Sequence, residues 1–205
     1  WKQDRVGIAA AARENGSLRQ VSRGLIGGER RDVHLFVPLL QCKPNWRRGA
    51  QGIGDCVSWG AEFAATLLMA IDAIAGVGSW EEEAATESLY GLCRVEVLGK
   101  TRGGRSDGAF GYAAAKALKE YGVVLRKDYS KQTGNREHNL TKYDAKRAKE
   151  WGDYGCGGSQ DKGKLDEIAK AHPVEHIAQI KAVEEAIAAL TNWYPVTIAS
   201  MRSEE

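Results

Sequence analysis

The chain lacks any strong excess of one charge. Its 205 residues carry 29 Lys and Arg against 27 Asp and Glu, a net of +2. Phosphate contacts need clustered Lys and Arg, so this balance argues against a dedicated nucleic-acid binder. A long uninterrupted apolar run is also missing. The longest stretch, Ala61 to Gly76, is broken by Glu62 and Asp72 and is shorter than the roughly 20 residues a bilayer demands. No membrane partner is expected. No C-x-x-C pair occurs among Cys42, Cys56, Cys93 and Cys156. A zinc site built from cysteine pairs is therefore not expected; a disulfide framework is not signalled, and reduced thiols without metal or cofactor are the expectation. There is no signal-peptide pattern and no internal repeat. The chain opens on Trp1 rather than Met, and its last residues, Met201 to Glu205, follow directly on a strand-like run. Both ends read as interruptions of a longer chain.

What is present suffices for one packed domain with an arm. Hydrophobic residues make up 43%, enough for a core. Glycine, at 24 residues, exceeds its usual share of about 7%, so loops and turns are frequent. Residues 1–48 hold ten basic and four acidic side chains, and the remainder is net acidic. Residues 1–31 thus read as a basic N-terminal arm before a body spanning 32–205, either solvated or docked on an acidic surface.

Pattern along the chain predicts a helix-like piece within 1–20 and a strand over 32–40, near an edge because of Pro38. A loop follows over 44–55. Phe63, Leu67, Leu68, Ile71 and Ile74 recur at helical spacing after Cys56. They predict a long buried helix ending near Gly76 or Gly78. Further helices are predicted over 81–98, over 109–121 with Gly122 as C-terminal cap, over 141–151 and over 183–190. Residues 99–108 form a Gly-rich loop, and 195–201 (P-V-T-I-A-S-M) read as a strand.

Cys56 stands where a nucleophile is useful. It closes a Gly-rich loop and opens the long helix. A helix N-terminus carries about half a positive charge and unpaired N–H groups, and both favour the reactive thiolate. Asp55 beside it can cap the helix, although its charge opposes a thiolate. Gln51 offers an amide donor which, with the Cys56 backbone N–H, would make an oxyanion hole. The alternative is a buried structural cysteine at a helix start.

The stretch Val37-Pro-Leu-Leu-Gln-Cys-Lys-Pro-Asn-Trp-Arg, then Gln51-Gly-Ile-Gly-Asp-Cys56-Val-Ser-Trp59, resembles the start of a papain-like cysteine peptidase. Glu87-Ser-Leu-Tyr90, the Gly103-Gly104 loop with the helix and Gly122-Val-Val turn after it, and the 183–190 helix followed by Pro195-Val continue the resemblance in order. It covers about residues 32–201 and implies an α+β fold: a helical lobe around a long central helix, plus the start of a β lobe. It also implies Cys56 as nucleophile, Gln51 in the oxyanion hole, and Gly103, Gly104 and Trp59 lining the site of an extended peptide or protein substrate.

This sequence departs from the family in three ways. Gln51 lies five residues before Cys56, one fewer than usual. Val57 replaces the tryptophan that normally follows the nucleophile. His34, His138, His172 and His176 all precede the family's histidine position. The expected function is therefore cysteine peptidase or amidase chemistry with a histidine from outside these residues. The competing expectation is a non-catalytic interaction module with protein partners, in an assembly such as a phage or virus particle. The cysteine spacing suits an intracellular or virion-associated protein better than a secreted one.

Other candidates are weaker. His172 and His176, four apart, could hold a metal with Cys156 or His138, but read as half-exposed histidines. Lys100, Arg102 and Gly103-Gly104-Arg105 could cradle a phosphate but lack the trailing G-K-[ST]. Trp46, Trp59, Trp80, Trp151 and Trp193 read as core contacts rather than a stacking platform.

Overall fold

The computed structural model describes residues 33–100 and 107–198. The basic arm, Gly103 and Gly104, and residues 199–205 lie outside them. The described residues are helical: α1 is Phe36–Cys42, α2 Cys56–Ala75, α3 Thr86–Gly91, α4 Gly111–Tyr121, α5 Ser130–Thr133, α6 Ala145–Tyr154, α7 Asp166–Lys170 and α8 Val183–Thr191. A π-helical turn, Leu92–Val97, continues α3, and a 3-10 turn covers Arg136–His138. Extended pairing among them is confined to two isolated antiparallel bridges, Ala84 with Leu125 and Asp128 with Asn139. This corrects the expected papain-like α+β fold: the described residues form no sheet.

Two expected strands account for much of that correction. Of the expected strand over 32–40, residues 36–40 lie in α1 instead. Pro38 is the third residue of that helix, in the first turn, where a missing N–H costs nothing and a fixed φ near −65° fits. Pro195 to Ile198 carry no regular structure, and the rest of that stretch lies outside the described residues.

The long helix forms as its periodicity requires and stops at Gly76, whose φ of +74° only glycine adopts freely. It spans 20 residues with mean hydropathy 1.4, so by length and composition alone it is long enough to cross a membrane; half of the stretch is buried within the protein. Those alternatives are what an apolar 20-residue helix allows. None of its residues from Val57 to Ala75 is exposed.

The described residues divide into two compact units. The first contains 33–47, 64–80 and 176–196; the second contains 48–63, 81–100, 107–175 and 197–198. In the first, the Cys42 thiol faces the Ala70 carbonyl of α2 at 3.9 Å, and α8 leaves Val183 and Ile187 exposed.

The second unit is built on α3, every residue of which is buried. Helix α6 and the residues just after it approach α3 closely because glycine lies at both contacts. A Cβ on Gly91 would lie 2.8 Å from the Cys156 backbone nitrogen, and one on Gly152 would lie 2.5 Å from the Tyr90 ring. Arg94, 2% exposed, donates to the carbonyls of Gly152 at 2.8 Å and Gly108 at 2.9 Å. Helix α4 ends as expected at Gly122, with φ +86°, and Val123 then donates its N–H to the Ala169 and His172 carbonyls. The predicted 81–98 helix starts later, at Thr86, because Ala85 donates to Val124 and Arg126 to Glu83 in extended pairing.

Candidate functional site

Cys56 is the first residue of α2 and its side chain is exposed. Asp55 accepts the Trp59 N–H through its backbone carbonyl at 3.0 Å, which starts the helix. Its carboxyl does not turn to cap the first turn. Instead it points inward, 1% exposed, and its Oδ2 accepts from the Tyr143 hydroxyl at 2.8 Å. The Tyr143 oxygen in turn accepts the Gly52 N–H at 3.4 Å. One phenol thus ties both ends of the turn that delivers Cys56.

The same turn is held by close packing. A Cβ on Gly52 would lie 2.6 Å from the Ala145 Cβ, and one on Gly54 2.6 Å from the Asp107 Cβ. Both glycines of the Gln51-Gly-Ile-Gly-Asp-Cys motif are there because larger residues do not fit.

Below the turn lies Trp59, 8% exposed. The edge of one ring meets the other where Tyr143 packs on it, with centroids 5.0 Å apart. The Arg48 guanidinium also packs on it, 4.7 Å from the Trp59 centroid and 4.4 Å from that of Phe63. Arg48 donates to the Trp59 carbonyl at 2.6 Å and pairs with the buried Glu62 at 3.4 Å. Planar guanidinium stacking of this kind adds attraction beyond the charge pair.

Two buried polar atoms here have no formed hydrogen bond: Asp55 Oδ1 and the Trp59 indole nitrogen. Burial pushes the Asp55 carboxyl above its ordinary range; the bond from Tyr143 opposes this, and the Glu87 charge reinforces it. Burial likewise raises the Tyr143 phenol, and its bond to Asp55 raises it further.

The other predicted site residues are placed as follows. The Gln51 side chain is exposed, and its amide donates to the Ile53 carbonyl two residues on. That donor is committed within the turn and would have to let go to serve an oxyanion. Trp59 is part of the packed floor rather than an open wall. Gly103 and Gly104 lie outside the described residues. Among the described residues, no hydrogen bond or ion pair reaches the Cys56 thiol. His138 is fully buried; Nδ1 is 2.8 Å from the Thr133 hydroxyl and Nε2 3.1 Å from the Gly157 carbonyl. No group of three or more His, Cys, Asp or Glu side chains is arranged to hold a metal among the described residues.

The remaining thiols differ from Cys56 in their surroundings. Cys42 is half-buried and burial raises its pKa. Cys93 is buried and pushed up to about 12. Cys156, enclosed beside Glu96, is raised well above its ordinary value. The residues that sequence reasoning missed are Tyr143 and Arg48. Tyr143 is 88 residues from Asp55, and no local pattern marks such a pairing.

No protein-family model, curated protein or solved structure matches this chain.

Proposed function

We propose that the chain carries the nucleophile of a cysteine peptidase or amidase, with Cys56 as that nucleophile and its general base outside these 205 residues. The observation that carries this reading is the placement of one exposed thiol at the start of a 20-residue helix, while the other three thiols are half-buried or buried. The positive end of the helix favours the thiolate. The thiolate would add to a substrate carbonyl, with the backbone N–H groups of the first turn facing the oxyanion. Collapse forms a thioester and expels the amine, which takes its proton from the base; water then releases the acid.

A second reading, a non-catalytic interaction module, is favoured by a specific observation: the Gln51 amide is spent on Ile53 and the His138 ring nitrogens on Thr133 and Gly157. Site-resolved alkylation separates the two. Iodoacetamide at neutral pH, read by peptide mass spectrometry, should modify Cys56 at least about tenfold faster than Cys42 and faster still than Cys93 or Cys156. Equal rates for Cys56 and Cys42 would remove the nucleophile and leave the module.

A further inference from the structure

We propose that Tyr143 is a positioning residue for Cys56: its hydroxyl holds the Asp55 carboxyl inward, so that the acid next to the thiol does not cancel the positive end of the helix. This role rests on Cys56 being the nucleophile, and it goes beyond that reading by assigning a function to a residue far away in sequence.

The difficulty it resolves is local. A carboxylate immediately before a nucleophilic cysteine opposes the thiolate by simple Coulomb repulsion. The geometry shows where that charge goes. Asp55 Oδ2 accepts the Tyr143 hydroxyl at 2.8 Å, and the carboxyl is 1% exposed while Cys56 is exposed. The two side chains therefore leave the turn in different directions. The Tyr143 oxygen also accepts the Gly52 N–H, so the phenol sits between the two ends of the turn. Asp144, the next residue, is the N-cap of α6 and its side chain accepts the Arg147 N–H at 2.9 Å. Tyr143 is thus carried on a fixed helix start rather than on a free loop. The Trp59 ring, edge-on to Tyr143, closes the side of the pair.

The ionisable groups that act on this pair are few. Glu87 of α3 adds negative charge toward Asp55, and Asp55 itself acts on the Tyr90 phenol. Neither offers the carboxyl a hydrogen-bond donor. Without the Tyr143 hydroxyl, Asp55 would lose the strongest of its donors and keep only the weaker help of its own N–H and the Trp59 indole, and a poorly partnered buried carboxylate is costly. Its way out is toward water, which is also where the thiol lies.

The test is the pH profile of Cys56 alkylation in the full chain, with Cys42 as an internal control. Tyr143→Phe should move the Cys56 midpoint upward and slow its alkylation at pH 7 about 3- to 10-fold, the change in thiolate fraction given by a rise of about half to one pH unit. The double variant Tyr143→Phe with Asp55→Asn should return the midpoint to that of the unsubstituted protein, because the errant charge is gone. Asp55→Asn alone still accepts the hydroxyl through its amide oxygen and should leave the profile where it was. A loosened turn would instead slow the reaction at every pH, unrescued by Asp55→Asn, and that result would overturn the proposal. So would a downward shift of about one unit in Asp55→Asn alone, which would mean that the charge already reaches the thiol. Should Cys56 not be the fastest thiol in the unsubstituted protein, the functional reading fails. Should it be fastest while Tyr143→Phe leaves the profile unchanged, only the positioning role fails.

Discussion

The Arg126 guanidinium lies 3.0 Å from the Glu87 carboxylate, with Glu87 fully buried and the Arg126 side chain 9% exposed. Arg147 approaches the other carboxylate oxygen at 3.4 Å, and the Asp144 N–H donates to it at 3.0 Å. Glu87 therefore joins α3 to the start of α6, the same helix start that carries Tyr143. Removing the acid leaves two guanidinium groups facing each other out of water. Glu87→Gln should cost about 3–5 kcal/mol, measured by urea denaturation. The exposed Lys116–Glu120 pair, 3.8 Å apart, is the contrast: Glu120→Gln should change stability by no more than about 0.5 kcal/mol.

Glycine substitutions should divide by space rather than by element. Gly152 of α6 faces the Tyr90 ring so closely that a Cβ would lie 2.5 Å from it. Gly152→Ala should lose about 1–3 kcal/mol through overpacking. Gly111, the first residue of α4, has nothing within 4 Å of its would-be Cβ. Gly111→Ala should gain up to about 1 kcal/mol by restricting the unfolded chain. Thermal melts of the two variants should move in opposite directions.

Glu96 gives a pH prediction. Burial raises its carboxyl above the ordinary 4.5, with Asp166 adding to the rise and Lys162 and the Cys156 N–H opposing it. The folded state thus retains a proton that the unfolded chain has already released. Its contribution to stability is complete below about pH 4.5 and fades as pH climbs through the raised folded value. Glu96→Gln keeps an acceptor for the Cys156 N–H and should remove this slope. The check is the difference in unfolding free energy between the two proteins from pH 4 to 8; a difference that does not vary with pH would refute it.

The long helix was legible because its apolar residues from Phe63 to Ile74 repeat at helical spacing, and its end because a glycine follows them. The Gly122 cap was legible for the same reason. The 32–40 segment was not, because Val, Phe and Leu in a row carry a strand signature, while Pro38 is tolerated equally in a first helical turn. Around Cys56, the helix start and the Gly-rich approach could be read from the motif itself. What could not be read was where Asp55 turns. Its capping role looked natural from its position, yet a phenol from another part of the chain outcompetes the helix for it. The role of Trp59 was similarly hidden, since both Arg48 and Tyr143 pack on its ring.

Helix α2 begins in one compact unit and finishes in the other, and each unit is stitched from three separated pieces of chain. No single cut can therefore excise either unit with its own residues intact. A protease nick within 81–175 leaves the 176–196 piece of the first unit joined to its 33–47 and 64–80 pieces by contacts alone. Parting the two units would cut α2 between residues 63 and 64, so the proposed role of Cys56 is best tested by point substitution in the unbroken chain.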